Sequence, residues 1–173
     1  MGDNHSAETF DDNEFGKELV EYIQKDAALK LLYDRLKIEC EVVVKVIERL
    51  ISNQISAEKL APLKQINTKF PDSKNTCTKL STLDRSFHET LSRLADDDRI
   101  PNMYIEGMLD DQDSAKTWQS IRANKKHSKE LDKIHVDIVR LIEEKNSKEA
   151  LKAMRKHFII VLPHYVQQTH ASQ

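Results

Sequence analysis

The chain has 173 residues and a mass of 20.0 kDa, the size of one domain that can hide roughly 70% of its unfolded surface. Hydrophobic residues make up 39% and charged residues 32%, a balance that excludes a disordered polyelectrolyte. The net charge is −2 with a pI of about 6.4, so no global field steers the chain toward nucleic acid or anionic lipid.

With 3 Gly and 4 Pro, the sequence lacks the turn residues of a sandwich or barrel, and helices are expected throughout. Its longest apolar runs, such as 42–44 and 158–162, are far too short to span a membrane. Residues 1–14 hold Asp3, Glu8, Asp11, Asp12 and Glu14 with no Lys or Arg. That composition predicts a flexible acidic tail without a signal peptide. Cys40 and Cys77 lie in no CxxC and are expected to be reduced thiols of a cytoplasmic protein.

In chain order, Leu19, Ile23, Ala27 and Leu31 repeat every four residues and open a helical, single-domain region over 15–170. Leu36, Val43, Val46, Ile47 and Leu50 carry a second helix, and periodicity leaves open whether the chain breaks near Tyr33. Ser56-Ala-Glu-Lys resembles a helix start and leads into a short element with Leu60, Leu63 and Ile66 despite Pro62. Residues 70–75 (Phe-Pro-Asp-Ser-Lys-Asn) carry loop chemistry.

A fourth helix is predicted from about Thr76 to Ala95, with Leu80, Leu83, Phe87, Leu91 and Leu94 on one face. The three carboxylates of Asp96-Asp97-Asp98 would oppose the negative end of its dipole. Pro101 suits the first turn of a fifth helix with Met103, Tyr104 and Met108, and its continuation to Trp118 and Ile121 depends on whether residues 110–113 interrupt it. Residues 124–129, including Lys125-Lys126-His127, read as a solvated basic hinge. A sixth helix follows over about 128–145, and Asn146-Ser147 cap a last one over about 147–168. The expected architecture is an all-α antiparallel bundle of six to seven helices.

Seven histidines occur, and three fall on apolar stripes. Asp84 and His88 are spaced i, i+4 and share one face of the fourth helix. His135 interrupts the stripe Leu131, Ile138, Ile142, and His157 that of Ala150, Ala153, Val161. Buried imidazoles and carboxylates without partners cost about 1–3 kcal/mol each. Two solutions are open: hydrogen bonds to backbone carbonyls, or a divalent cation that satisfies all four at once. Three neutral imidazoles and one carboxylate would leave such a cation positive and receptive to a small anion, particularly a carboxylate.

The run Leu83-Asp-Arg-Ser-Phe-His-Glu-Thr-Leu91 resembles the D-x-x-F-H-x-x-L motif of the FCD domain, the effector-sensing half of GntR-superfamily transcription regulators. His135-Val-Asp-Ile, followed by Ala150, Met154 and His157, resembles that family's H-x-x-I…A-x-x-x-M-x-x-H ending, and Arg35-Leu-Lys-Ile-Glu39 its R-x-x-(L/I)-E opening helix. The resemblance covers about 35–165. It implies a helical bundle holding a divalent transition metal, zinc before nickel, manganese or iron, through Asp84, His88, His135 and His157. It also implies a small organic-acid effector and a bacterial, homodimeric regulator rather than an enzyme. Ala95-Asp-Asp-Asp98 stands where the family carries an Asn. The 34 residues before Arg35 are too few for a winged helix-turn-helix, so direct DNA binding by this chain is not expected.

Two further residues are assigned to the effector. Arg35 could hold a carboxylate bidentately, or simply pair with Glu39 at i, i+4. His164, two turns beyond His157, could line the cavity mouth or stand exposed beside Pro163. Trp118 and Tyr104 are expected to pack rather than to line a ligand site. The competing functions are a hydrolase-like metalloenzyme and a metal-free helical interaction protein. The first lacks HExxH and a paired E-x-x-H.

Overall fold

A computed structural model describes residue 21 and residues 23–106 and 111–171; the expected acidic tail, Leu19 and Met108 lie outside the described residues. Among the described residues the chain is an all-α bundle: α1 (Ala27–Ile51), a 3-10 turn (Ala57–Leu60), α2 (Ala61–Asn67), α3 (Cys77–Leu94), α4 (Arg99–Ile105), α5 (Asp111–Ala123), α6 (Lys125–Glu143) and α7 (Ser147–Ala171). No strand occurs among them.

The chain does not break at Tyr33. It breaks at Asp26, whose carboxylate accepts from the backbone N–H groups of Ala28 and Leu29 at 2.9 and 3.0 Å and so caps α1. From that start the inward stripe runs Leu29, Tyr33, Leu36, Cys40, Val43, Ile47 and Leu50, all buried, which leaves Leu31 half-buried. Pro62 sits in the first turn of α2, where its missing N–H costs nothing.

Thr76 caps α3, its hydroxyl accepting from Lys79 N–H at 3.1 Å. The C-terminus of α3 meets the electrostatic objection with cations from α1. Arg49 donates to the Leu94 carbonyl at 3.1 Å and Lys45 to the Asp96 carbonyl at 3.4 Å. Asp96 takes φ 57°, and Asp97 turns away to bind Arg99 at 2.8–3.2 Å. The fifth predicted helix is two, α4 ending at Ile105 and α5 running separately.

Residues 125–129 are not a hinge. Asn124 is an N-cap, accepting from His127 N–H at 3.1 Å, so the basic cluster forms the first turn of α6. A left-handed Lys145 (φ 58°) turns the chain from α6 into α7, and so short a connection makes the two helices antiparallel neighbours. α7 packs on α6, α1 and α5, and α3 on α5, α2 and α1. Tyr33, Phe70 and Phe87 fill the middle of the core. Cys40 is buried there and Cys77 is partly exposed, neither in a disulfide.

Candidate metal centre and adjoining cavity

α3 places Asp84 and His88 one turn apart, α6 brings His135 and α7 brings His157, all four buried. One ligand atom from each lies within 4.8 Å of every other. Asp84 Oδ1 is the hub: His135 Nε2 stands 3.2 Å from it, His157 Nε2 3.5 Å and His88 Nε2 3.6 Å. His135 Nε2 and His157 Nε2 are 3.2 Å apart.

Two of the rings, His135 and His88, are aimed from outside the cluster. His135 is flanked by Phe70, stacked at 4.5 Å and 11°, and Phe87, edge-on at 4.8 Å and 77°. Trp118 stacks on the far side of Phe70 at 5.9 Å. Asn67 on α2 donates to the His135 carbonyl at 2.9 Å. The Phe of the D-x-x-F-H run thus orients a histidine of another helix. His135 Nδ1 donates to the Leu131 carbonyl at 3.0 Å, and His88 Nδ1 lies in close contact with Glu39 Oε2. Outer partners of this kind turn Nε2 inward and make the imidazole a better ligand.

A neutral imidazole has one N–H. With Nδ1 of His135 donating to Leu131, its Nε2 is an acceptor facing an acidic oxygen and a second imidazole nitrogen. His88 Nε2 is buried with no hydrogen-bond partner. At His135 Nε2 lone pairs therefore face one another, and a cation resolves that mismatch. Hydrogen bonds to backbone carbonyls, the metal-free alternative, account only for Nδ1 of His135. Three imidazoles with one carboxylate are a borderline donor set suited to zinc and its first-row neighbours. The residues present fit a metal ion.

Burial alone would raise the Asp84 carboxyl, yet the charge on His88 and the contacts with the three imidazoles hold it well below its ordinary value. Burial likewise opposes ionisation of Glu39, but His88 and Arg35 bring it down to about 2. His88 is raised to about 9 because Glu39 and Asp84 outweigh burial. Burial, against the pull of Asp84, pushes His157 down to about 4, so its lone pair is free at neutral pH. Coordination through His88 Nε2 requires that atom to give up a proton.

A cavity of about 350 Å³ opens beside the cluster, with Asp84 and His157 in its wall. Arg35 also lines it, its Nε donating to Glu39 Oε1 at 2.5 Å and its Nη2 4.0 Å from Asp84 Oδ2. The guanidinium carbon stands 5.8 Å from the Tyr104 ring centre. Arg35 thus pairs with Glu39 at i, i+4 and also lines the cavity. Leu32, Leu36, Ile121, Met154, Phe158 and Val161 supply apolar wall. Trp118 and Tyr104 line the cavity as well, which corrects the expectation that they only pack.

The placement of His164 is a second correction. It is neither exposed nor in the cavity lining. Its Nδ1 meets Ser120 Oγ at 2.8 Å and its Nε2 meets His127 Nδ1 at 2.8 Å, so both ring nitrogens are engaged by α5 and α6. Burial and the nearby His127 lower its proton affinity. Glu39, the outer partner of both Arg35 and His88, is a residue the sequence pairs only with Arg35; its contact with α3 leaves no mark in spacing.

No curated protein and no solved structure matches the chain. Residues 32–159, which run from within α1 to the middle of α7 and include all four candidate ligands, match the family described as the FCD domain. The chain belongs to the FCD domain family.

Proposed function

We propose that this chain is the metal-dependent sensing domain of a GntR-type transcription regulator, and that it binds a small organic acid. The observation that carries the reading is the convergence of Asp84, His88, His135 and His157 within 4.8 Å beside a cavity lined by Arg35. The volume lies at the lower end of the range of small-molecule sites, about 300–1,000 Å³. A bound divalent ion supplies Lewis acidity and positive charge at the cavity wall. Zinc fills a tetrahedron with four protein donors, whereas an octahedral nickel, manganese or iron ion keeps two further positions for an effector oxygen. Arg35 contributes a fixed guanidinium with planar donors, suited to a carboxylate. Among the described residues the carboxylates beside the four ligands, Glu39 and Asp113, are paired with Arg35 and Lys116, which favours a regulatory over a catalytic reading. In a complete regulator, effector binding would bias helix packing between two states.

Protein purified without chelator or a nickel column is expected to carry about one transition-metal ion per chain by elemental analysis. Stripping the ion should lower Tm by about 10 °C, because a ligand at roughly a thousand times its Kd adds about 4 kcal/mol to a domain of this size. Metal-free protein as isolated, with a Tm indifferent to chelator and added zinc, would refute the proposal.

The reading includes a homodimer, the commonest symmetric assembly. Val136 on α6 and Ile159 on the adjoining α7 are 49% and 52% exposed, apolar surface of the kind an interface covers. Sedimentation should give twice the chain mass at micromolar concentration; a monomer there removes the dimer from the proposal.

A further inference from the structure

The charge of the cavity wall limits what the cavity can hold. Among the described lining residues Arg35 is the one basic side chain, and Glu39 already engages it. A divalent ion and Arg35, set against Asp84 and Glu39, leave a single positive charge at this end of the cavity. One carboxylate neutralises it. The other polar groups among the described lining residues are the hydroxyls of Tyr104, Ser114, Thr117 and Tyr165, the indole N–H of Trp118 and the carboxylate of Asp113. Asp113 is 57% exposed at its side chain and paired with Lys116 at 3.2 Å, so the cavity mouth carries a like charge already matched to its own cation.

A second carboxylate on the ligand would therefore enter apolar wall, neutral hydroxyls or a like charge. An ionised group buried without a counter-charge loses far more in desolvation than hydroxyl contacts return. An alkyl body, in contrast, gains from every methylene it buries against Leu32, Leu36 and Phe158.

We propose that the cavity selects a monocarboxylate with an apolar body and rejects dicarboxylates of the same length. This rests on the metal-and-Arg35 reading above, and the test separates the two. Nickel-loaded protein, whose ion keeps open positions, is titrated calorimetrically with acetate, hexanoate, adipate and 1-hexanol. Hexanoate should bind at least about 10-fold tighter than acetate, and adipate at least about 100-fold weaker than hexanoate. Adipate binding as tightly as hexanoate overturns the selectivity and leaves the metal-and-carboxylate reading standing. No binding by any of the three acids overturns both. Hexanol matching hexanoate overturns the carboxylate anchor.

A second variant tests the cause. Ser114, half-buried on the cavity wall, is replaced by a cation in Ser114→Lys. Adipate should then gain about 10-fold relative to hexanoate, as expected for one partly buried ion pair. An unchanged ratio in folded, nickel-binding Ser114→Lys protein overturns the charge explanation.

Discussion

Protein carrying both His135→Ala and His157→Ala is expected to bind zinc at least about 10⁴-fold more weakly than the wild type. Structural zinc sites are worth roughly 10–16 kcal/mol, or about 2.5–4 kcal/mol for each of four ligands, which is about two to three powers of ten per ligand. Asp84 and His88, spaced one turn apart on α3, would remain as an incomplete set. The single variants separate ligation from packing. His157 borders the cavity, with 10% of its side chain exposed, so its truncation enlarges an existing space and should leave metal-free stability close to that of the wild type. His135 is fully buried between Phe70 and Phe87, and removing it leaves a sealed void costing on the order of 2–5 kcal/mol. Competition titrations read the first effect and urea unfolding of chelator-treated protein the second. Equal zinc affinity in the double variant and the wild type would eliminate the site.

What the sequence makes legible follows from what helical spacing can encode. Position on a helix face is periodic, so the inward placement of Asp84, His88, His135 and His157 can be read directly. The caps Thr76 and Asn146 can be read from their chemistry. Meetings between helices depend on crossing geometry that a one-dimensional pattern does not carry. Convergence of the four ligands was therefore supplied by the family resemblance, and Glu39 escaped as the partner of His88. The same limit explains His164. Two turns from His157 it keeps nearly the same face, but further along the bundle that face meets Ser120 and His127 instead of the cavity. Lys125 and Lys126 give the segment of His127 a solvated composition, while Asn124, three residues before that histidine, makes the segment a helix start. At the start of α1 the apolar pattern runs on through Ala27 and Leu31; the break at Asp26 is a capping event that an apolar stripe cannot register.

Glu39→Ala should destabilise the metal-free domain by about 3–5 kcal/mol, the cost of removing one partner from a buried ion pair, and so lower Tm by about 6–20 °C. The Glu39 side chain is 5% exposed and holds two cationic groups at once: Arg35 through Oε1 at 2.5 Å, and the His88 ring, which it contacts through Oε2. Arg35 is itself only 13% exposed, and the remaining carboxylate near it, Asp84, is 4.0 Å away and committed to the imidazoles. Without Glu39 the guanidinium loses its nearest counter-charge, and the His88 ring loses the acceptor that turns Nε2 toward the ligand cluster. Two measurements divide these losses. Combining Glu39→Ala with Arg35→Met should recover part of the stability, since the stranded charge leaves with its partner. Zinc affinity should not recover in that double variant: an outer partner of a ligating histidine is worth about 10–100-fold in affinity, and His88 still lacks it. Glu39→Gln keeps the side-chain shape and an acceptor but not the charge, and should fall between Glu39→Ala and wild type in both assays. A Glu39→Ala protein within 1 kcal/mol of wild type in urea, with undiminished zinc affinity, would mean that the carboxylate supports neither Arg35 nor the metal centre.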